Sequence, residues 1–364
     1  MATAVRSMVE RRTVRVGAAP LRHIAYSGPT RQVWVLNTGE TSLSVLDGAS
    51  AEPIGKVDLG GSPRHVILDD AAGLGYVSLA QDALAIVDIR ANRLLETLSL
   101  PRGSRPGALQ PMFGNRRLYV LLHGSPSLAV VDTRRNALAG SIPVGRGALW
   151  GQPWGSSYKP ITRPVGKAYI ANADSDDVTL FDDATDGVIA RVAVGRRPSR
   201  NAIYRERGAA YVANALDNTV SAIRIADDTV AATVPVGTYP FRLLPVEAVN
   251  GRDELWVLNA GSAERPAGEI SVVSGREHRV LGTIPVVDRP ANWLINTAGL
   301  VFVVSATARE LCVVDVRAGR VVGSARLSRD PHPGFRASGL VFSRSGSLFV
   351  LNADATVSRF TAAS

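Results

Sequence analysis

Arginine and histidine side chains recur at matching places along this chain, directly after short turns that contain proline. The second residue after each turn proline is mostly cationic or polar. The series is Arg22, His65, Ala108, Arg200, Arg242 and Asn292, and Arg336 follows a modified turn at a comparable place. Guanidinium groups that converge on one opening repel each other unless an anion or carboxylates accompany them. The pattern therefore predicts a site for an anionic molecule, flanked by Arg64 and Arg105.

The same arginines could instead pair with acidic residues of neighbouring loops, which would give them a structural role. The candidate partners are Glu40, Asp82, Asp174, Asp217 and Asp354. The sequence leaves both interpretations open.

Four of the five histidines map to the end of the molecule that carries these arginines. They are His23, His65, His123 and His332, whereas His278 maps to the opposite end. Histidine suits proton transfer near neutral pH, and His65 and His332 are the candidates for general acid–base catalysis of a lyase, isomerase or cyclase type. Arg22, Arg200 or Arg242 would then stabilise an oxyanion. No His-x-His or H-E-x-x-H spacing exists, so no metal site is predicted.

Aromatic residues occupy an overlong loop at residues 145–166, which contains Trp150, Trp154 and Tyr158. Exposed tryptophans in a loop rich in glycine, serine and proline are costly unless they cover something. They could cap a ligand by stacking or plug a channel. A second insertion lies at residues 259–269, and elaboration on one face of a repeat array indicates the binding face.

The segment YIANADSDDVTLFD at residues 169–182 recurs along the chain, for example as YVANALDNTVSAIR at 211–224. Each copy predicts short strands separated by turns of glycine, proline, asparagine and aspartate. The ends of the second strands mark the copies at intervals of 42 to 50 residues. The markers are Asn37, Leu79, Leu122, Asn172, Asn214, Asn259, Ser305 and Asn352. This interval is the length of a four-stranded propeller blade.

Eight markers predict an all-β, closed propeller of eight blades, with seven as the alternative. The last copy stops after its third strand, and RTVRVG at residues 12–17 is predicted to supply the fourth strand beside residues 356–360. Closure removes open sheet edges. The expected organisation is one domain over residues 12–360, between tails at 1–11 and 361–364.

In such a propeller, the connections between blades and the turns between second and third strands share one face, here named the top face. Neighbouring residues of a strand point to opposite sides. The series that includes Arg22 and His65 is therefore expected at the mouth of the central channel, with His23 packed between blades.

These motifs resemble the YVTN-repeat family of β-propellers over about residues 12–360, and more distantly the eight-bladed domain that carries haem d1. The resemblance implies a propeller fold and a range of functions, including surface-layer, DNA-binding and ligand-binding roles, with some relatives similar to lyases and lactonases. It also implies a tetrapyrrole as one ligand whose carboxylates would suit arginines. The sequence itself requires no cofactor, and a tetrapyrrole or a divalent metal stays an open alternative.

The composition limits the kinds of molecule that the protein is expected to bind. The net charge is +9 and is carried almost entirely by arginine, because only Lys56, Lys159 and Lys167 are lysines. The charge favours an anionic small molecule, and a non-enzymatic scaffold for protein or nucleic acid is the alternative. Nucleic-acid binding needs a broad basic stripe, and the arginines that the fourth strands and bottom loops also carry do not decide this point. No membrane span or signal-like segment is predicted, so a cytoplasmic monomer is expected. The single Cys312 is expected to be a buried, inert thiol.

Overall fold

The protein is an eight-bladed β-propeller, as the repeat interval predicts. The computed structural model describes residues 8–112, 114, 116–149, 166–204, 208–246, 253–331 and 339–362. Within these residues, thirty-two strands form eight antiparallel sheets of four strands each. The described part of the chain holds no helix long and apolar enough to span a membrane.

Blades I to VII each use four consecutive strands, from the channel outwards. Blade I comprises β2 (Leu21–Ser27), β3 (Gln32–Asn37), β4 (Ser42–Asp47) and β5 (Pro53–Asp58); blade II comprises β6 (Pro63–Asp69), β7 (Leu74–Leu79), β8 (Ala83–Asp88) and β9 (Arg93–Ser99). Blade III comprises β10 (Pro106–Met112), β11 (Arg117–Leu122), β12 (Ser127–Asp132) and β13 (Ala137–Pro143); blade IV comprises β14 (Ala148–Leu149), β15 (Lys167–Asn172), β16 (Asp177–Asp182) and β17 (Val188–Ala193). Blade V comprises β18 (Pro198–Tyr204), β19 (Ala209–Asn214), β20 (Thr219–Arg224) and β21 (Thr229–Pro235); blade VI comprises β22 (Pro240–Pro245), β23 (Glu254–Asn259), β24 (Glu269–Ser274) and β25 (Val280–Pro285). Blade VII comprises β26 (Pro290–Ile295), β27 (Leu300–Ser305), β28 (Glu310–Asp315) and β29 (Arg320–Arg326).

Blade VIII is completed by the N-terminal strand, which confirms the predicted closure. It contains β30 (Leu340–Phe342), β31 (Leu348–Leu351) and β32 (Thr356–Ala362), and its outer strand is β1 (Met8–Arg15). β1 runs antiparallel to β32, with Met8 opposite Ala362 and Arg15 opposite Thr356.

The carboxylate of Glu10 in β1 stabilises the closure of the ring, where β1 meets β32 and the connection that contains Ser328. It accepts hydrogen bonds from the hydroxyls of Ser328 at 2.7 Å and Ser358 at 2.8 Å, and from Thr13 in its own strand. The backbone N–H of Ser328 also donates to it at 3.1 Å. Burial alone would raise the pKa of Glu10, but the hydrogen bonds from Thr13, Ser328 and Ser358 together lower it below its usual range.

The Glu10→Gln variant is expected to lose about 1 kcal/mol of stability at pH 7, since the amide replaces a charged acceptor of several hydrogen bonds. Because the pKa is lower in the folded protein, the carboxylate stabilises the fold above the unfolded value of roughly 4.3 and loses this effect as the pH falls through the folded value. Urea unfolding of wild type and variant at pH 7 and pH 3.5 measures the difference. A gap between them that stays constant with pH would contradict this role.

The second strands form the core between blades, and their terminal asparagines are part of the scaffold. In blade V the Nδ2 of Asn214 donates to the hydroxyls of Thr219 at 3.0 Å and Ser221 at 2.9 Å, which fastens the turn between β19 and β20. The same amide-to-hydroxyl contact recurs at Asn37, Asn172, Asn259 and Asn352. The marker residues therefore hold their own blades together.

One backbone hydrogen bond recurs in all eight blades and defines the top face. In each blade the residue after the marker donates its backbone N–H to a carbonyl oxygen in the turn that leads in from the preceding blade. The pairs are Thr38–Pro20, Ala80–Ser62, His123–Arg105, Ala173–Gly147, Ala215–Arg197, Ala260–Tyr239, Ala306–Arg289 and Ala353–Asp330. Both kinds of loop therefore meet on one face, as expected.

The outer edge of every blade is interrupted by a β-bulge. Each fourth strand has one residue left out of the pairing with its neighbour, for example Ile54 in β5 and Leu281 in β25. The equivalent irregularity occurs in the other six sheets. A bulge twists an edge strand away from the flat geometry that would pair with another chain. The bulges therefore protect the apolar side chains that these strands expose, such as Ile54 at 51%.

Polar contacts join neighbouring blades near the bottom face. The Nζ of Lys167 in blade IV lies 2.7 Å from a carboxylate oxygen of Asp228 in blade V. The hydroxyl of Tyr119 in blade III donates to Asp186 in blade IV at 2.7 Å. These contacts fix the relative rotation of adjacent blades, and with it the positions of the channel-lining residues.

Candidate functional site

The innermost strands place the predicted series at one structural position. In blades II, V, VI and VII the innermost strand begins with a pair to the marker residue and then skips one residue before regular pairing resumes. The position after this irregularity holds His65 opposite Ser78, Arg200 opposite Ala213, Arg242 opposite Leu258 and Asn292 opposite Val304. Four members of the predicted series are therefore structurally equivalent.

Blade I corrects the alignment at Arg22 and His23. Its connecting turn is one residue longer than that of blade II, so that Pro20 takes the place of Ser62 in the recurring hydrogen bond. Leu21, opposite Asn37, then corresponds to Pro63, opposite Leu79. As a result Arg22 corresponds to Arg64, and His23, not Arg22, corresponds to His65. His23 is buried and packs against blade II, as expected. Its place in the series was predicted wrongly, because the extra residue in the turn shifts the register relative to the proline.

His23 and His65 form a pair of imidazoles in contact. Their ring centroids are 4.0 Å apart and the rings are inclined at 46°. They are 5% and 7% exposed, and the backbone N–H of Leu109 donates to Nδ1 of His65 at 3.4 Å. Neither ring nitrogen of His23 has a hydrogen-bond partner among the described residues. Burial, and then the charges of His65 and Arg22, hold the pKa of His23 well below its usual range, so this ring is neutral at physiological pH.

The guanidinium groups of Arg22, Arg64 and Arg105 and the imidazole of His123 come from three consecutive blades and influence one another electrostatically; they are here named the cationic cluster after the three arginines. Burial and then the charge of Arg64 lower the pKa of Arg22. The pKa of His123 is lowered by burial and then by Arg64, Arg22 and Arg105. Arg22 and His123 nevertheless retain exposed surface, as expected of groups that face water while protein surrounds them on several sides.

The backbone fixes His123 beside Arg105. The N–H of His123 donates to the carbonyl of Arg105 at 3.1 Å, and the N–H of Gly124 donates to Ser104 at 2.9 Å. The imidazole lies over Gly107, where a β-carbon would collide with it. Glycine at position 107 is therefore needed for the imidazole of His123 to occupy this place.

Four of the five acidic residues that could have neutralised the arginines have other partners. Glu40 pairs with Lys56 at 2.5 Å, and Asp217 pairs with Arg196 at 2.5 Å. Asp82 accepts the backbone N–H groups of Gly103 and Arg105, each at 2.7 Å, and Asp354 lies 3.7 Å from Arg329. Within the described ranges, no carboxylate forms an ion pair with Arg22 or Arg64. Ion pairing with loop acids therefore does not account for these two arginines.

The remaining predicted residues are spread around the ring. Arg242 and Asn292 are buried, at 4% and 3% exposure. The backbone of Arg200 lies in β18, and its side chain is outside what the structure describes. The other five predicted residues, which are His332, Arg336, Trp150, Trp154 and Tyr158, also lie outside the described residues.

The insertion at residues 259–269 folds over the connection between blades VI and VII. The N–H of Val286 donates to Gly268 at 3.0 Å, and the N–H of Arg289 donates to Pro266 at 2.7 Å. This elaboration lies on the top face, as the sequence predicted.

Other polar features are less suited to ligand chemistry. A cavity of about 250 Å³ on the opposite face is lined by Arg224, Arg276 and His278. Arg224 is paired with Asp227 at 2.5 Å, and His278 lies 3.5 Å from the hydroxyl of Tyr211. Among the described residues, no group of three or more histidine, cysteine, aspartate or glutamate side chains is arranged to hold a metal ion. Burial raises the pKa of the Cys312 thiol to about 11.

Sequence reasoning missed the extent of contact among blades I to III. The sequence predicts Arg64 and Arg105 at the flank of the site and His123 on the top face, but it does not predict that these three residues interact. The extra residue in the turn before Leu21 was visible in the sequence and was the signal that would have placed His23 beside His65.

Comparison with solved structures shows the same fold. BamB from Moraxella catarrhalis aligns with a TM-score of 0.67 at 11% identity, covering 97% of each chain. The dihydro-haem d1 dehydrogenase NirN, solved in complex with DHE, aligns with a TM-score of 0.65 at 17% identity over 93% of this chain and 73% of its own. The computationally designed Ika8 protein aligns with a TM-score of 0.67 at 11% identity, over 95% and 99%.

No protein-family model and no curated protein matches the chain. At these identities the structural likeness shows the fold alone. The similarity to a haem d1-type propeller is thus confirmed at the level of architecture, and membership of the YVTN-repeat family stays a prediction.

Proposed function

We propose that the protein binds a small anionic molecule on the top face, at the mouth of the channel, with the cationic cluster as its main contact. The observation that carries this proposal is the grouping of Arg22 and Arg64 without an ion-paired carboxylate among the described residues. Like charges at close range destabilise each other, and an anion between them reverses the sign of that interaction.

The chemistry of the side chains favours an oxyanion. A guanidinium presents a planar fork of donors that matches carboxylate and phosphate groups. Arg200, Arg242, Asn292 and Arg336 would extend the site around the channel, and Trp150, Trp154 and Tyr158 would cover it. Because the NirN neighbour was solved with DHE, a tetrapyrrole with carboxylates is one candidate ligand. An absorption spectrum of the purified protein tests that candidate.

Catalysis is a further part of the proposal. His65, with His332, would transfer a proton in a lyase, isomerase or cyclase type of reaction, and an arginine would stabilise the oxyanion. The geometry that supports this is the contact between the imidazoles of His23 and His65 next to Arg22. A monomer in the cytoplasm belongs to the same proposal.

Calorimetric titration with citrate at pH 7 tests anion binding. The double variant Arg22→Gln with Arg64→Gln is expected to weaken binding by more than about 10- to 150-fold, because the loss of a single charge-assisted hydrogen bond of about 1.5–3 kcal/mol already has that effect and the variant removes two guanidinium groups. Arg196→Gln is the matched control, because Arg196 lies on the same face and is already paired with Asp217.

The expected result is a large loss of affinity in the double variant and little change in the control. An equal loss in both would indicate attraction by overall charge, and a wild-type protein without saturable binding would overturn the proposal. Circular dichroism spectra of the three proteins check that the fold is retained.

A further inference from the structure

The position of His123 relative to the arginines has a consequence for ligand binding. Its imidazole is partly exposed and is held over Gly107 by the pairing of its backbone with Arg105. It can therefore touch a ligand that enters the cluster, whereas the ring nitrogens of His23 are enclosed by protein.

Three arginines of three blades act on His123 through their charge. They are Arg64 in β6, Arg22 in β2 and Arg105 in the connection before β10, and the carbonyl of Arg105 also accepts the backbone N–H of His123. The imidazoles of His23 in β2 and His65 in β6 contact each other. The nearby carboxylate of the connection, Asp82, accepts the backbone N–H groups of Gly103 and Arg105 and the hydroxyl of Ser104.

We propose that the cationic cluster binds an oxyanion together with one proton, and that His123 is the residue that takes up the proton. The inference rests on the proposed function, because it needs an anion in this cluster. It adds a binding residue and a ligand class, namely oxyanions that accept hydrogen bonds from both arginine and imidazolium.

The physical reason is a reversal of charge around the imidazole. Without a ligand, burial and then the charges of Arg64, Arg22 and Arg105 oppose a positive charge on His123 and lower its pKa. An oxyanion bound by the same guanidiniums attracts that charge, so the pKa of His123 rises in the complex. The imidazolium can then donate a hydrogen bond to the anion.

The sign of the pH dependence follows from this difference. The pKa of His123 is lower in the free protein than in the complex. At any pH between these two values the complex binds more protons than the free protein. Affinity must therefore increase as the pH falls through that window, by at most about tenfold per pH unit for one proton. Above the window the affinity does not depend on pH.

Sulfate is the suitable probe because it does not change its protonation between pH 5.5 and 8. Isothermal titration of the full chain with sulfate, in pairs of buffers that differ in ionisation enthalpy, counts the protons taken up per sulfate bound. The expected result for wild type is an uptake that rises towards one proton below neutral pH, with tighter binding at lower pH.

Two variants assign the proton. His123→Gln is expected to bind sulfate with no proton uptake and with an affinity that is nearly constant over this pH range. His278→Gln is the control, since His278 lies on the opposite face, and it is expected to behave as wild type. Thermal unfolding of each variant without sulfate checks that it is folded.

Saturable sulfate binding without proton uptake in the wild type would overturn this inference and leave the proposed function standing. Uptake that persists in His123→Gln would overturn the assignment to His123 and point to the His23–His65 pair. Absence of sulfate binding at every pH would overturn the inference and the binding of simple oxyanions together. The first and third outcomes are read from the wild type alone, and the thermal unfolding measurement shows that the His123→Gln variant used for the second is folded.

Discussion

Replacement of Trp34 by alanine is expected to lower the free energy of unfolding by about 3–5 kcal/mol, the usual cost of deleting a buried tryptophan side chain. Trp34 lies in β3, is 0% exposed, and packs in the cluster between blades I and II that includes Val66 and Val77. Without the indole, blades I and II lose part of the interface that holds them together in the ring. Urea unfolding followed by tryptophan fluorescence and circular dichroism measures the change.

Ile54→Ala in the same blade is the matched control. Ile54 is 51% exposed at the bulge of β5, so its truncation is expected to change stability by no more than about 0.5 kcal/mol. Comparable losses in the two variants would mean that the packing between blades I and II does not depend on Trp34.

A partner substitution tests the contact itself. Gly75 in β7 faces the indole, and a β-carbon there would lie 2.5 Å and 2.8 Å from two of its ring carbons. Gly75→Ala alone is therefore expected to cost about 1–3 kcal/mol by overpacking. In a Trp34→Leu background the ring is gone and the added cost should shrink. Strict additivity of the two substitutions would contradict a direct contact.

The repeat architecture was predictable because it is periodic. Eight marker residues at near-constant intervals require eight equal units, and the missing fourth strand of the last unit required the segment that became β1. Alternating apolar residues and turn residues encode each strand locally. The hydrogen bonds of the asparagine markers agree with their interpretation as scaffold.

The candidate site was predictable only in part, because it depends on register and on contacts between blades. One extra residue in a turn moves His23 into the position that proline counting gave to Arg22. The electrostatic influence of Arg22 on His123 links blades I and III, which are not consecutive in the ring. Such a link leaves no periodic signal in the sequence, so spacing alone could not reveal it.

The glycine of the connecting turn and the asparagine marker form a second unit that is visible only in three dimensions. In four blades a β-carbon on this glycine would collide with the marker amide; the pairs are Gly17–Asn37, Gly145–Asn172, Gly195–Asn214 and Gly237–Asn259. Where the marker is Leu79, Leu122 or Ser305 instead of asparagine, the residue in the turn does not pack against a marker amide. It is Gly60, which has open space around it, or Pro101, or Val287. Glycine therefore accompanies the asparagine marker in four of the five blades that have one; the fifth has Ser328 beside Asn352, and Gly60 beside Leu79 is a glycine without that contact.

Asn214→Ala is accordingly expected to destabilise the protein by about 2–4 kcal/mol, since it leaves the buried hydroxyls of Thr219 and Ser221 without their donor and opens a small cavity. Gly195→Ala should cost about 1–3 kcal/mol, because its β-carbon would lie 2.7 Å from Cγ of Asn214. Gly140→Ala is the control, since a β-carbon there meets nothing within 4 Å. Urea midpoints at constant slope measure all three.

The decisive comparison is between the two glycine variants. Both replace a glycine by alanine and so change the unfolded chain in the same way. Any difference between them therefore reports the collision with the Asn214 amide in the folded blade. If Gly195→Ala and Gly140→Ala had equal stability, the close packing of glycine against asparagine would not explain why these two residues recur together in the repeat.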